Sequence, residues 1–68
     1  MNSTKLQAGE YEVIINGRTF WVARVSAINP EAINDNTWQL CELLTSGTEY
    51  WNHFATKREA MEAIARSN

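Results

Sequence analysis

The fold is decided by residues 10–25, EYEVIINGRTFWVARV, which place two strand-forming runs on either side of Asn16-Gly17. Both central residues of a type I′ turn need positive φ, and Asn-Gly meets this need with little strain. The β-branched and aromatic residues on both sides favour extended backbone. The stretch therefore predicts a tight β-hairpin.

A two-residue loop also sets the register of this hairpin, because Ile15 then pairs with Arg18. Successive side chains of a strand point to opposite faces, so Phe20 and Trp21 lie on different sides of the sheet. The pairs on one face are Tyr11 opposite Val22 and Val13 opposite Phe20, and those on the other are Glu12 opposite Trp21 and Ile14 opposite Thr19. The first face is the more apolar and is expected to be covered.

The middle of the chain predicts a loop and two further strands. Residues 29–36 hold the only proline together with several Asn and Asp residues, so we expect a loop with a short helical turn after the proline. Trp38–Leu44 and residues 49–54 have strand composition, and residues 45–47 separate them as a turn. The register of this second hairpin stays open within one residue, which leaves open whether Trp38, Leu40 and Trp51 face inward.

A capping box marks the last element. Thr56 and Glu59 have the spacing at which each satisfies a free backbone amide of a helix start, which predicts a helix over Lys57–Arg66. The predicted fold class is α+β, with an antiparallel four-stranded, alternatively three-stranded, meander sheet and one C-terminal helix packed on one face. The expected core consists of Tyr11, Val13, Ile15, Phe20, Val22, Phe54, Met61 and Ile64.

Length and composition limit the chain to one small domain. Its 68 residues are 44% hydrophobic and 21% charged. Residues 1–9 lack periodic apolar positions, so we expect a flexible N-terminus at 1–9 and a single α+β domain over 10–68. No apolar run approaches the about 20 residues that span a bilayer, and no signal-peptide core is visible. A soluble, cytoplasmic protein is expected.

Few residues are candidates for catalysis or metal binding. Cys41 and His53 are the only strong candidates for a nucleophile or base, and one cysteine with one histidine cannot complete a four-ligand zinc site. Glu10 and Glu12 alternate onto one strand face, where carboxylates usually solubilise the surface. We expect no catalytic residue, no metal and no cofactor, with Cys41 packed in its strand.

Charge and aromatic content point to a protein partner. Eight acidic and six basic residues give a net charge of −2, whereas domains that hold nucleic acid non-specifically usually have a basic excess. Three tryptophans are many for so small a core, so at least one ring is expected to be partly exposed. Trp and Arg are enriched where proteins meet. The candidate partner-binding residues are Trp21, Arg18, Glu12 and Trp51.

Residues 50–64, YWNHFATKREAMEAI, resemble the strand-then-helix ending of small uncharacterised proteins from phages, prophages and plasmids. They are also similar to the end of the arm-type DNA-binding domain of phage integrases, a three-stranded sheet plus a helix. The first resemblance implies a mobile-element type of protein. The second implies DNA binding through basic and polar residues of the sheet, here Arg18, Arg24, Lys57 and Arg58.

Together these observations predict a small non-enzymatic protein-interaction module that binds a protein partner, or a second copy as a homodimer, through a sheet face. Inhibition of a host defence complex is one form that such binding takes. The alternative is a nucleic-acid-binding accessory protein that uses the sheet face with Arg18, Arg24, Lys57 and Arg58. The acidic balance favours the protein partner.

Overall fold

The Asn16-Gly17 turn forms as predicted in the computed structural model, which describes residues 2–67. Asn16 has φ 52° and Gly17 has φ 75°, the positive values that a type I′ turn requires. The strands on either side, β2 (Glu10–Ile15) and β3 (Arg18–Arg24), pair in the predicted register from Ile15 opposite Arg18 onward. The side-chain assignment of the first hairpin is therefore confirmed.

The sheet is an antiparallel meander in the order β1-β2-β3-β4-β5, with β1 at Asn2–Gln7, β4 at Trp38–Leu44 and β5 at Gly47–Phe54. Between β3 and β4 the chain forms a short helix α1 (Val25–Ile28) and a 3-10 turn (Pro30–Ala32). The predicted turn after the proline is confirmed. Helix α2 covers Lys57–Arg66, the predicted bounds, and the Thr56 hydroxyl accepts a hydrogen bond from the Glu59 amide. Within residues 2–67 no helix is both long enough and apolar enough to cross a membrane.

The prediction of four strands, alternatively three, is wrong, because the sheet within residues 2–67 has five. The additional strand β1 lies in the segment 1–9, which carries no strand in the prediction; Met1 and Asn68 lie outside the described residues. Every residue of β1 is exposed, so the strand shows no apolar alternation in the sequence. Backbone hydrogen bonds to β2 do not depend on such a pattern.

Gly9 lets the chain turn from β1 into β2. Its φ is 81°, and a Cβ atom at this position would lie 2.7 Å from the Cβ of Ala27. Its carbonyl accepts a hydrogen bond of 2.8 Å from the amide of Arg24. Both the positive φ and the close approach of α1 therefore require glycine here.

The second hairpin contains an irregularity that decides the position of Trp51. Leu40 pairs with Asn52 and Cys41 pairs with Tyr50, which leaves Trp51 as the extra residue of a bulge in β5. A bulge redirects a side chain relative to regular alternation. Trp38, Leu40 and Trp51 consequently all contact the core, whereas regular pairing continued from Trp38 opposite Phe54 would turn Trp51 to the other face.

The buried cluster consists of Val13, Phe20, Val22, Leu40, Ala60 and Ile64. Four of these residues belong to the predicted core, while Leu40 and Ala60 do not. Of the other predicted core residues, Ile15, Phe54 and Met61 are partly buried against the cluster, and Tyr11 is half-buried. Ala60 and Ile64 lie four residues apart in α2, so one stripe of this helix contributes to the cluster.

Candidate interaction surface

The two faces of the sheet carry different residues. The covered face is the one that bears Phe20, Val22 and Leu40, which are fully buried in the cluster shared with α2. The open face is the opposite one, where the register aligns Glu12, Trp21, Cys41 and Tyr50 in one row across four strands. Each row of this kind brings side chains from neighbouring strands into contact.

A groove of about 270 Å³ lies on the open face beside Trp21. Strands β1 to β4 all contribute to it, and the half-buried indole of Trp21 forms part of its wall. It is lined by Leu6, Glu10, Glu12, Trp21 and Leu43, and Phe20 of the covered face also borders it. Its lining combines apolar side chains with two carboxylates, those of Glu10 and Glu12.

Apolar side chains around the groove are exposed. Leu6 is 53% exposed and Leu43 is 41% exposed, and Ile14 and Tyr50 on the same face are also exposed. Single exposed apolar residues are normal on proteins, but a contiguous group of them marks an interaction surface more often. On the open face, Leu6 and Leu43 lie together at the groove.

The open face is acidic as well as apolar. Glu10 accepts a hydrogen bond from the neutral side chain of Gln7. Among the described residues, no hydrogen bond or ion pair to the Glu12 carboxylate is formed. The basic residues lie elsewhere: Lys5, Arg18 and Arg24 alternate onto the covered face, and Lys57, Arg58 and Arg66 belong to α2.

Two of the four predicted partner-binding residues come together on the open face, and two lie on the other side. Glu12 and Trp21 are directly opposite each other on β2 and β3. Arg18 is two residues from Phe20 in β3, so its side chain points to the covered face. The bulge turns Trp51 towards Phe20, which places Trp51 on the covered face as well. A single binding surface made of all four residues is therefore not formed.

Arg18 closes one end of the covered face. Its Nε and Nη2 donate hydrogen bonds of 2.9 and 2.8 Å to the two carboxylate oxygens of Glu42. Its guanidinium carbon lies 5.0 Å from the ring centroid of Phe20 and 5.6 Å from that of Trp51. The two rings meet edge to face, with centroids 5.3 Å apart. This arrangement combines a bidentate ion pair with cation–π contacts.

Glu42 is an acidic residue in an apolar setting, with only 7% of its surface exposed. The hydrogen bond from Arg18 lowers the pKa of the Glu42 carboxyl below its ordinary value, although desolvation acts in the opposite direction. The same hydrogen bond raises the pKa of Arg18. Trp51 also lowers the pKa of Glu42 slightly, but its buried Nε1 reaches no acceptor among the described residues at hydrogen-bonding geometry.

A second group of cations and rings lies at the other end of the covered face. The Nζ of Lys57 is 3.5 Å from the ring centroid of Tyr11, and the guanidinium carbon of Arg24 is 5.8 Å from that of Trp38. Arg58 lies on the exposed side of α2, 3.4 Å from Glu62. The four basic residues of the nucleic-acid alternative thus lie away from the open face, and three of them contact aromatic rings.

Cys41 and His53 have separate partners. Cys41 is buried, and its sulfur accepts a hydrogen bond of 3.2 Å from the amide nitrogen of the Gln39 side chain. His53 is exposed, and its Nδ1 shares a hydrogen bond with the Tyr50 hydroxyl. Among residues 2–67, no group of three or more His, Cys, Asp and Glu side chains is placed to hold a metal ion.

The groove includes Leu6, Glu10 and Leu43, which are not among the predicted partner-binding residues. Leu6 is the one large apolar residue of β1, and this isolation is a signal that the sequence already contains. Leu43 is two residues from Cys41 in β4, so both side chains point to the face of Trp21 once β3 and β4 are paired.

No protein-family model, no curated protein and no solved structure matches this chain.

Proposed function

We propose that this protein is a non-enzymatic interaction module whose open face binds a protein partner around Trp21. The observation that carries the proposal is the half-buried indole of Trp21 in a groove, with the exposed side chains of Leu6 and Leu43 beside it. Tryptophan is enriched among the few residues that supply most of the binding free energy in protein interfaces. Its partial exposure on a face without α2 fits that role.

The size of the groove favours an anchoring side chain over a free small molecule. Its volume of about 270 Å³ is below the roughly 300–1,000 Å³ of sites that enclose drug-sized ligands. One large side chain of a partner fills such a space, and the rest of the open face is available for further contact. This geometry is typical of a protein interface in which one residue is inserted.

A second copy of the chain is a weaker candidate for the partner. Pairing of two open faces by a two-fold axis brings the same patch of each copy together. Glu10 and Glu12 of both copies would then lie in one interface, with no basic side chain of the described open face to compensate. Sedimentation at micromolar concentration tests the homodimer, since a single 7.8 kDa species would remove it.

Nucleic-acid binding through the sheet is also weaker on this geometry. The open face presents carboxylates, which repel phosphates, and Arg18 is engaged by Glu42 on the covered face. A salt-dependent retention on DNA or RNA, lost in Arg18→Gln or Arg24→Gln, would support that alternative over the protein partner.

The proposal is tested by quantitative cross-linking of the tagged protein to host proteins, with Trp21→Ala as the main variant. Truncation of an interface tryptophan typically costs about 2 kcal/mol or more, so we expect about thirtyfold weaker association. Leu43→Ala is the second variant, with Ile33→Ala as its matched control. Ile33 is 74% exposed but lies outside the groove, so its truncation removes exposed apolar surface without changing the groove.

Circular dichroism must show that each variant is folded. Equal capture by wild type, Trp21→Ala and Leu43→Ala would contradict the proposal. Loss in both groove variants, with Ile33→Ala unchanged, would support it.

A further inference from the structure

We infer that the groove binds an arginine side chain of the partner protein, with its guanidinium stacked on Trp21 and paired with Glu12 and Glu10. This inference rests on the proposed function and specifies the chemistry of the partner. It is drawn from the residues of the groove and from a similar arrangement that the chain forms with its own Arg18.

The carboxylates are placed to meet a cation at the indole. Glu12 is directly opposite Trp21, and such cross-strand neighbours have Cβ atoms about 4.5–5.5 Å apart. Glu10 is two residues from Glu12 on the same face of β2, so the two positions are about 7 Å apart along the strand. Both carboxylates line the groove with Trp21. A cation above the ring therefore has two anionic acceptors within reach.

The negative charge of the groove is not neutralised by the described residues. Glu42 and Glu62 have arginine partners, at 2.8 Å and 3.4 Å respectively. Glu12 has no such partner among residues 2–67, and Glu10 accepts from the neutral Gln7 only. An approaching cation thus gains attraction without displacing an existing ion pair.

The covered face shows how this chemistry is completed. There Trp51 and Glu42 hold Arg18, whose guanidinium lies over rings while it donates two hydrogen bonds to one carboxylate. The open face has the tryptophan and the carboxylate of the same combination, in Trp21 and Glu12, but its described residues supply no cation. A partner's arginine supplies the missing group.

Arginine fits this groove better than lysine. A guanidinium is planar, stacks on an aromatic ring and donates in a fork to carboxylate oxygens, whereas an ammonium is a strongly hydrated point charge. The methylene groups of an arginine also pack against apolar walls, here Leu6 and Leu43. The mixture of apolar and acidic lining therefore favours arginine.

Arginines of another copy do not give a closed assembly. Arg58 and Arg66 have exposed side chains on α2, but insertion of either into the groove of another copy joins two different surfaces. Such heterologous contacts produce open chains unless a ring closes. We therefore assign the arginine to a different protein, and concentration-dependent association abolished by Arg58→Gln or Arg66→Gln would overturn this assignment.

The inference is tested by NMR titration of the ¹⁵N-labelled full chain with three blocked tripeptides, Ac-Leu-Arg-Leu-NH2, Ac-Leu-Lys-Leu-NH2 and Ac-Leu-Gln-Leu-NH2. The indole N–H signal of Trp21 is identified by its loss in Trp21→Phe. We expect the arginine peptide to shift this signal, the lysine peptide to bind more weakly and the glutamine peptide to bind weakest. A peptide with a Kd of about 1 mM nearly saturates its site at about 10 mM. No shift of the Trp21 signal at about 10 mM arginine peptide would therefore overturn the inference.

Glu12→Gln and Glu31→Gln form a matched pair of charge changes, since Glu31 is exposed and lies outside the groove. Glu12→Gln is expected to weaken the arginine peptide about two- to fivefold, the range of exposed ion pairs, and Glu31→Gln to leave its affinity unchanged. Added salt should weaken binding to wild type more than to Glu12→Gln.

The two proposals fail in distinguishable ways. Equal affinity for the arginine and glutamine peptides, or no effect of Glu12→Gln, overturns the arginine inference. If Trp21→Ala still loses the cross-linked partner in that case, the proposed function stands. Unchanged capture of the partner by Trp21→Ala contradicts both.

Discussion

Trp51 and Trp21 lie on opposite faces of one sheet, and each has a glutamate nearby. On the covered face, Trp51 and Glu42 contact Arg18, and the ion pair belongs to the packing of the domain. On the open face, Trp21 and Glu12 line a groove that the described residues do not fill. The same pair of residue types thus stabilises the fold where the chain supplies the cation, and forms a candidate binding site where it does not.

Because of this difference, substitutions on the covered face are expected to change stability, and substitutions at the groove are expected to change association. Side chains of the covered face exclude water and are in contact with the buried cluster, so their removal is expected to change the free energy of unfolding. On the open face, the groove residues Leu6, Trp21 and Leu43 remain partly exposed, and their removal is expected to change binding more than folding. Substitutions at matched positions of the two faces test whether this separation holds.

The largest effect is expected for Phe20→Ala. Phe20 is fully buried and contacts Trp51, so its truncation leaves a cavity and should cost about 3–5 kcal/mol of stability. Trp21→Ala, the adjacent residue on the other face, should remain folded with a loss of roughly 1 kcal/mol. Denaturant unfolding of both variants measures the difference. A folded Phe20→Ala beside an unfolded Trp21→Ala would reverse the roles of the two faces.

Glu42→Gln is expected to destabilise the protein less than Phe20→Ala and in a pH-dependent way. The pKa of Glu42 is lowered in the folded state, so its contribution is fully present above the ordinary carboxyl pKa and is lost as pH falls through the lowered value. The melting temperatures of wild type and Glu42→Gln should therefore differ most at neutral pH and converge in acid.

Glu12→Gln is the control for that titration. Its carboxylate has no ion pair among the described residues, so at neutral pH the melting temperature of this variant should stay close to that of wild type. A gap between wild type and Glu42→Gln that stayed constant down to strongly acidic pH would contradict the part assigned to the ionised Glu42.

Thr56→Ala is expected to have a smaller effect, about 1 kcal/mol, because it removes the hydroxyl that accepts from the Glu59 amide at the start of α2. Thr56→Ser keeps the acceptor and serves as its control. Binding at the open face should not change in either variant. Thermal unfolding measures the first expectation, and the arginine peptide titration measures the second.

The smallest effect on stability is expected for Leu43→Ser. Leu43 is 41% exposed at the groove, so a polar residue here should change the unfolding free energy by no more than about 0.5 kcal/mol. Association should nevertheless weaken. A Leu43→Ser variant that unfolds would show that this side chain belongs to the packing of the domain.

Several features of the fold could be predicted from neighbouring residues alone. The first hairpin, its register and the bounds of α2 follow from Asn16-Gly17 and from the pair Thr56 and Glu59, since turns and helix caps depend on interactions between residues close in sequence. The same register placed Glu12 opposite Trp21 on the face away from Phe20. The other two predicted partner-binding residues, Arg18 and Trp51, lie on the covered face.

Only the tertiary structure decided the remaining features. β1 pairs through its backbone and buries no side chain, so its sequence has no periodic pattern to recognise. Trp51 faces the core because of a bulge, which shifts side chains by one position and has no clear local signal. Leu6 and Leu43 meet at the groove through strand pairing between distant parts of the chain. The sequence by itself determined the local turns and caps, and long-range pairing determined which tryptophan packs against Arg18 and which lines the groove of the open face.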